Sequence, residues 1–160
     1  MNIQASYALL DKILVLKKSA LFASVTTSEL RAVAAVAEEL HFPPGETIVR
    51  EKDIGDALYL IKTGTVTISK QVRGEESIDL ARMAAGECFG EMAAIDEEVR
   101  SATVAALQEC TVLRISKEDM HDVLRENPQI GIELLRIFVK RLRGANGKIE
   151  LLSQSASGGS

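Results

Sequence analysis

Residues 89–104 read Phe-Gly-Glu-Met-Ala-Ala-Ile-Asp-Glu-Glu-Val-Arg-Ser-Ala-Thr-Val, and the rest of the chain is organised around them. The stretch joins a glycine pair (Gly86, Gly90), a carboxylate (Glu91), a run of small and apolar residues, and Arg100 followed by Ser101 and Thr103. These residue types suit a small, singly charged phosphate carried on a sugar. A phosphate diester keeps its charge near neutrality, so a partly buried pocket must supply a permanent cation and hydrogen-bond donors. A guanidinium offers both in a planar fork, and glycine lets the backbone approach closely.

Outward from this stretch, residues 41–115 alternate with a period of two. Thr47 to Val49, Leu58 to Ile61, Val66 to Ile68 and Ile78 to Ala81 read as strands, separated by turn signals at Pro44-Gly45, Asp53 to Asp56, Thr63-Gly64 and Arg73-Gly74. Ala102 to Ala106 and Thr111 to Ile115 read as two more. Short strands at this spacing predict a closed β-roll or jelly-roll barrel.

Helical patterns flank this β region. Gln4 to Leu16 carry Leu9, Leu10, Ile13 and Leu14 on one stripe, and Lys12, Lys17 and Lys18 form a basic face expected to be a solvated flank. A second helix starts near Thr26, which has capping-box spacing to Glu29, and ends by Leu40 before Pro43-Pro44-Gly45. Ser116 with Asp119 opens a third, and Asn127-Pro128 a long fourth, with Asn as N-cap and Pro at the first position. Its residues Leu135, Phe138, Leu142, Ala145, Ile149 and Leu152 are spaced three and four apart, a heptad seam of about two and a half repeats. Its first half is expected on the roll and its second against a twin subunit. Residues 153–160 are small and polar and are expected to be disordered.

The chain has 160 residues, 46% apolar and 26% charged, which fits one globular domain. A net charge of −4 gives no global attraction to nucleic acid or anionic membrane. No apolar run is long enough to span a bilayer, and the N-terminus lacks the order of a signal peptide. Two cysteines are too few for a disulfide framework, so a cytoplasmic protein with reduced thiols is expected. His41 and His121 have no second metal ligand at useful spacing, and no nucleophile elbow, Walker loop or dinucleotide fingerprint occurs, so no enzyme is expected.

The order of elements resembles the cyclic nucleotide-binding domain family: helix, Pro-Gly-Glu turn, eight-stranded β-roll, phosphate-binding cassette, then B and C helices. The residues that carry the resemblance are Pro44-Gly45-Glu46, Gly55-Asp56 before Tyr59-Leu60-Ile61, Gly64 with Val66, Phe89-Gly90-Glu91, and Arg100-Ser101-Ala102-Thr103-Val104. It covers about residues 21–152, after an N-terminal helix and linker at 1–20. The resemblance implies a ligand site made of Phe89, Gly90, Glu91, Met92, Ala93, Arg100, Ser101, Ala102 and Thr103. In it Arg100 and Ser101 meet the phosphate and Glu91 accepts from the ribose 2′-hydroxyl. Asn146 on the C helix stands where the bacterial cAMP receptor family reaches adenine, and equally reads as a solvated flank of the seam. Phe89 and Met92 read as core before they read as ligand contacts, and Arg100 taken alone would read as an ion-pair partner of Asp96, Glu97 or Glu98, a reading that the complete cassette outweighs.

Some positions depart from the family pattern. Ala94 replaces a larger apolar residue, Val99 a common proline, and Lys52 a frequent turn glycine. Only a short polar tail follows the C helix, so no helix-turn-helix and no direct DNA contact are expected. The expectation is a sensing module for a 3′,5′-cyclic nucleotide, cAMP preferred and cGMP possible, without metal. It would close its C helix over the ligand, form a homodimer through that helix, and pass the change to an effector outside this sequence. Two rivals are a degenerate roll that only docks or dimerises and a cupin-like metal enzyme.

Overall fold

The computed structural model describes residues 2–158. Its helices are α1 (Ile3–Lys18), α2 (Thr27–Val36), α3 (Lys117–Glu126) and α4 (Pro128–Ser157). Among the described residues ten strand segments lie between α2 and α3. They are β1 (Glu38–Phe42), β2 (Thr47–Val49), β3 (Ile54–Gly55), β4 (Ala57–Thr63), β5 (Thr65–Arg73), β6 (Glu76–Ala84), β7 (Cys88–Phe89), β8 (Glu98–Val99), β9 (Thr103–Ala106) and β10 (Cys110–Ser116).

Eight of them form two four-stranded antiparallel sheets, ordered β1-β10-β4-β7 and β2-β9-β5-β6, while β3 and β8 form a separate ribbon. This is the expected eight-stranded roll with one correction. No ladder joins the two sheets among the described residues, so the roll is an open pair of sheets and not a closed barrel.

The strand β4 explains the layering. Ala57, Leu58, Tyr59, Leu60 and Ile61 are all buried, because the strand is covered on both faces. Ala57, Tyr59 and Ile61 point into the roll with Val66, Phe89, Val104, Ala106 and Val112. Leu58 and Leu60 point the other way, into a core shared with Leu16, Phe22, Leu30, Met120, Ile130 and Leu134 of the helical part. One strand thus ties the roll to the helices.

The capping signals give the helix starts. Thr26 Oγ1 accepts from the Glu29 N–H at 3.2 Å, and Glu29 Oε2 accepts from the Thr26 N–H at 3.2 Å. Ser116 Oγ accepts from the Asp119 N–H at 3.1 Å. Helix α2 stops at Val36 and not near Leu40, because Glu38 to Phe42 pair with Cys110 to Arg114 as an edge strand. Asn127 does not cap α4 with its side chain; its Nδ2 donates to the Val123 carbonyl at 3.1 Å and closes the end of α3 instead.

Two further expectations change. The basic face of α1 is exposed at Lys17 and Lys18, as expected, but it is not only a solvated flank: Lys12, half-buried, donates from Nζ to the Ala37 carbonyl at 2.6 Å and Lys17 Nζ to the Val25 carbonyl at 2.8 Å. Both serve backbone groups that flank α2. Helix α4 runs through Gly144 and Gly147 to Ser157, so residues 153–157 of the expected tail are helical. Met1 and the last two residues of that tail lie outside the described residues.

Lys52 stands in the left-handed region at φ 73°, where a Cβ is penalised by about 1–2 kcal/mol. Glycine adopts this conformation freely, at some cost in unfolded-chain entropy. Lys52→Gly is therefore expected to stabilise the fold by about 0.5–1 kcal/mol and to raise the melting temperature by about 1–4 °C, measured by calorimetry.

Candidate ligand-binding site

A cavity of about 210 Å³ opens where the loop after β7 faces the inner surface of the β2-β9-β5-β6 sheet. Gly90, Glu91, Met92 and Ala93 form one wall, and Val99, Arg100, Ser101 and Ala102 another. Val49, Ile68 and Val104 supply an apolar floor.

Arg100 is held from several sides. Its Nη2 donates to the Ala57 carbonyl at 2.9 Å. The guanidinium lies over the Tyr59 ring, 5.8 Å from its centroid, and Tyr59 stacks on Phe89 at 5.0 Å. Its backbone is pinned by the turn containing Lys52: Lys52 N–H donates to the Arg100 carbonyl and Arg100 N–H to the Asp53 carbonyl, both at 2.8 Å. Gly55 and Gly90 make room for the side chain, since a Cβ on either would collide with the guanidinium.

No carboxylate pairs with Arg100 among the described residues. Of the acids beside it in sequence, Glu97 pairs with Lys117 at 3.3 Å. The cavity therefore holds a permanent cation with no carboxylate at ion-pair distance among the described residues, although Glu91 and Glu98 share its lining, and it can accept an anion directly.

The loop itself is a single 3₁₀ turn, Met92–Ala94, in which Ala93 N–H bonds back to the Gly90 carbonyl at 3.1 Å. That leaves the N–H groups of Glu91 and Met92 without an acceptor inside the turn. A turn this short has no useful macrodipole, so any attraction comes from individual N–H groups. Ala93 and Ala94 are buried beneath it. Its far end is fastened to α3, where His121 Nε2 lies 2.5 Å from the Ile95 carbonyl.

Glu91 is half-buried and already engaged: its Oε1 accepts from Nη1 of Arg141, on α4, at 3.1 Å. Its second oxygen is unused by that bond and remains able to accept. Neighbouring Cys88 is mostly buried, and burial, reinforced by the negative charge of Glu91, pushes its thiol up to about 12. The thiolate is the reactive form, so this cysteine is inert near neutrality.

The ten residues expected from the sequence divide clearly. Phe89, Gly90, Glu91, Met92, Ala93, Arg100, Ser101 and Ala102 line the cavity. Phe89 does so from the core, 6% exposed, whereas Met92 is 65% exposed at the mouth and is not a core residue. Thr103 lies outside the cavity lining, and its Oγ1 accepts from the Glu51 N–H at 3.0 Å. Asn146 is exposed on α4 and is also not part of the lining. The floor residues Val49, Ile68 and Val104 were visible only as inward positions of strands, and Arg141 had no local signal.

Comparison with known proteins agrees with this geometry. A model of the cyclic nucleotide-binding domain matches residues 39–127, which span the roll, the cavity and α3. The chain belongs to the cyclic nucleotide-binding domain family. The cyclic AMP receptor protein of Thermus thermophilus is 32% identical over 138 residues, covering 86% of this chain and 64% of that protein. The chain thus spans less than two thirds of that relative. The N-terminal domain of a transcriptional regulator from Streptomyces coelicolor A3(2) superposes with a TM-score of 0.78 at 30% identity, covering 84% of this chain and 94% of that one. The regulatory domain of Toxoplasma gondii PKA, solved with cAMP, gives a TM-score of 0.72 at 25% identity, covering 96% and 51%. This cyclic nucleotide-binding domain is of the regulatory kind, and no helix among its described residues is long and apolar enough to cross a membrane.

Two outcomes check the site. Gly90→Ala is expected to destabilise the domain and to displace Arg100, because Gly90 has φ 76° and its new Cβ would stand 2.8 Å from the Ala57 carbonyl as well as against the guanidinium. Chemical denaturation should show a loss of about 2 kcal/mol or more. Cys88 should resist thiol reagents at pH 8 in the native protein and react on unfolding. Its folded thiol titrates above the ordinary value of 9.0, so the stability it contributes is complete below pH 9 and is lost as the pH rises toward about 12.

Proposed function

We propose that this domain is a cAMP-responsive regulatory module, with Arg100 as the cation for the cyclic phosphate and α4 as a lid. The observation that carries this reading is the Arg100 guanidinium, pre-positioned in a cavity and lacking a carboxylate partner among the described residues. A partly buried cation held this way favours an anion that cannot be neutralised by protonation. Ser101 and the N–H groups of Glu91 and Met92 lie on the same walls to complete the phosphate shell. The second carboxylate oxygen of Glu91 takes the ribose 2′-hydroxyl, and the apolar floor of Val49, Ile68 and Val104 gives a base a surface to lie on.

The lid follows from the Glu91–Arg141 pair. It ties the loop to α4, so a ligand that draws the loop toward Arg100 acts on α4 as well. The cavity is smaller than the roughly 300–1,000 Å³ usual for ligand pockets, which fits a site completed by closure. Moving such an equilibrium from nearly all open to nearly all closed takes about 5.5 kcal/mol of preference for the closed form. Asn146 meets the base only after α4 closes or from the α4 of a second copy. The exposed seam on the second half of α4 gives that helix a further role in pairing two copies.

Calorimetric titration with cAMP, cGMP and a cyclic dinucleotide tests the reading. The expected result is one cAMP site per chain, weaker binding of cGMP, and none of the dinucleotide. Arg100→Ala should weaken cAMP binding by about 100-fold, the loss expected when a phosphate in a partly buried site loses its charge-assisted hydrogen bonds. Absence of cAMP binding would reject the sensor, leaving a roll that only docks or dimerises; binding that survives Arg100→Ala would reject the phosphate assignment.

A further inference from the structure

Glu51 sits where three parts of the molecule meet close to Arg100. It follows β2 and opens the turn that carries Lys52 and Asp53. Its own N–H donates to the Oγ1 of Thr103, the first residue of β9, at 3.0 Å. The next two residues hold the backbone of Arg100 from both sides, through the Lys52 N–H and the Asp53 carbonyl, each at 2.8 Å. The Asp53 N–H closes the turn on the Arg50 carbonyl at 3.2 Å.

The carboxylate of Glu51 makes a separate connection. Its Oε2 accepts from the Gln71 N–H of β5 at 2.9 Å. Gln71 lies past the end of β9, which pairs with β5 only from Val66 to Ser69. From there to Arg73 the strand continues as a ribbon with β6 alone. In an antiparallel strand the N–H groups of alternate residues point to the same side, so a strand that outruns its neighbour presents open donors on that edge. Glu51 stands in for the missing length of β9. The ribbon also belongs to the cavity, because Ile68 of its floor lies on the same strand, three residues before Gln71.

We propose that Glu51 is a positioning residue for Arg100, a reading that rests on Arg100 as the phosphate cation and names what sets that cation against the cavity floor. The carboxylate ties the free end of the floor strand to the turn that fixes the arginine backbone, so floor and cation keep one spacing.

Three observations carry it. The link is short and stiff: Arg100 is bonded to the residues that directly follow Glu51, and Lys52 among them is held at φ 73°, a region with little freedom for a side-chain-bearing residue. The bond itself is of the stronger kind, a carboxylate accepting from a backbone N–H, and Glu51 is half-buried. The ribbon has little else to order it. Val72, Ile78 and Leu80 stay about half exposed, at 50%, 47% and 52%, and a segment that buries so little apolar surface opens easily.

Amide hydrogen exchange by NMR and cAMP calorimetry on the full chain test this with Glu51→Ala and Glu51→Gln. Both variants keep the main-chain bond from residue 51 to Thr103, so unchanged circular dichroism is expected of both. In Glu51→Ala the amides of Gln71 and Arg100 should each exchange about tenfold faster, and cAMP should bind about tenfold more weakly at unchanged stoichiometry. A glutamine oxygen can accept the same bond, so Glu51→Gln should bring all three readouts back to within about threefold of wild type. Faster exchange at Gln71 with Arg100 unchanged makes Glu51 a tether of the ribbon alone and overturns the proposal. Unchanged cAMP affinity in Glu51→Ala, or Glu51→Gln as impaired as Glu51→Ala, overturns it as well. Should Glu51→Ala fail to fold, Glu51→Asp takes its place under the same criteria, since one methylene less withdraws the carboxylate from the Gln71 N–H. A wild type that binds no cAMP rejects the sensor reading, and exchange at Gln71 and Arg100 in the ligand-free variants then decides the role of Glu51.

Discussion

The structure depends on holding a guanidinium in a partly buried cavity with no carboxylate paired to it among the described residues. Arg100 is tolerated there because its surroundings satisfy it in other ways. A backbone carbonyl accepts one of its hydrogens, an aromatic face lies beneath it, and two hydrogen bonds fix its own backbone. None of these removes the positive charge. They hold the side chain in one place so that an anion entering the cavity meets a cation that needs no reorganisation. Gly55 and Gly90 follow from the same constraint, since each is the only residue type that leaves the guanidinium its space.

The helical part connects to that charge through few contacts. Glu91 reaches α4 through Arg141, and the far end of the 3₁₀ turn reaches α3 through His121 and Lys117. These are partly exposed polar contacts, each modest in energy and open to exchange with water. The core beneath them, from Leu58 and Leu60 of β4 to Ile130 and Leu134 of α4, is apolar and continuous. A continuous apolar floor with loosely tied upper contacts suits the closure proposed above.

Much of this was legible in the chain. The buried run Ala57 to Ile61, the capping pairs at Thr26 and Ser116, and the glycine, carboxylate and arginine of the central stretch are local patterns with local causes. What escaped was set by distance. Strand β1 reads Glu-Glu-Leu-His-Phe, a poor strand by composition, and exists because β10 offers it an unpaired edge. Arg141 meets Glu91 across 50 residues of sequence. Thr103 and Ser101 look equivalent by alternation, yet the strand begins only at Thr103, so they serve different neighbours. The bond from Lys12 to the Ala37 carbonyl had no local signal, because a lysine is long enough to leave the face that bears it and reach a carbonyl elsewhere.

The junction at Asn127 has a mechanical consequence. Its amide closes α3 while Pro128 begins α4, so two helices meet at one residue with no slack between them. Helix α4 then extends 30 residues from that pivot, a rigid arm of about 45 Å. Each 10° of rotation at Asn127 carries the far tip through about 8 Å, many times the displacement at the cavity. If α4 turns at this junction in the closure proposed above, a small event near Arg100 would be delivered as a much longer stroke at the far end of the helix.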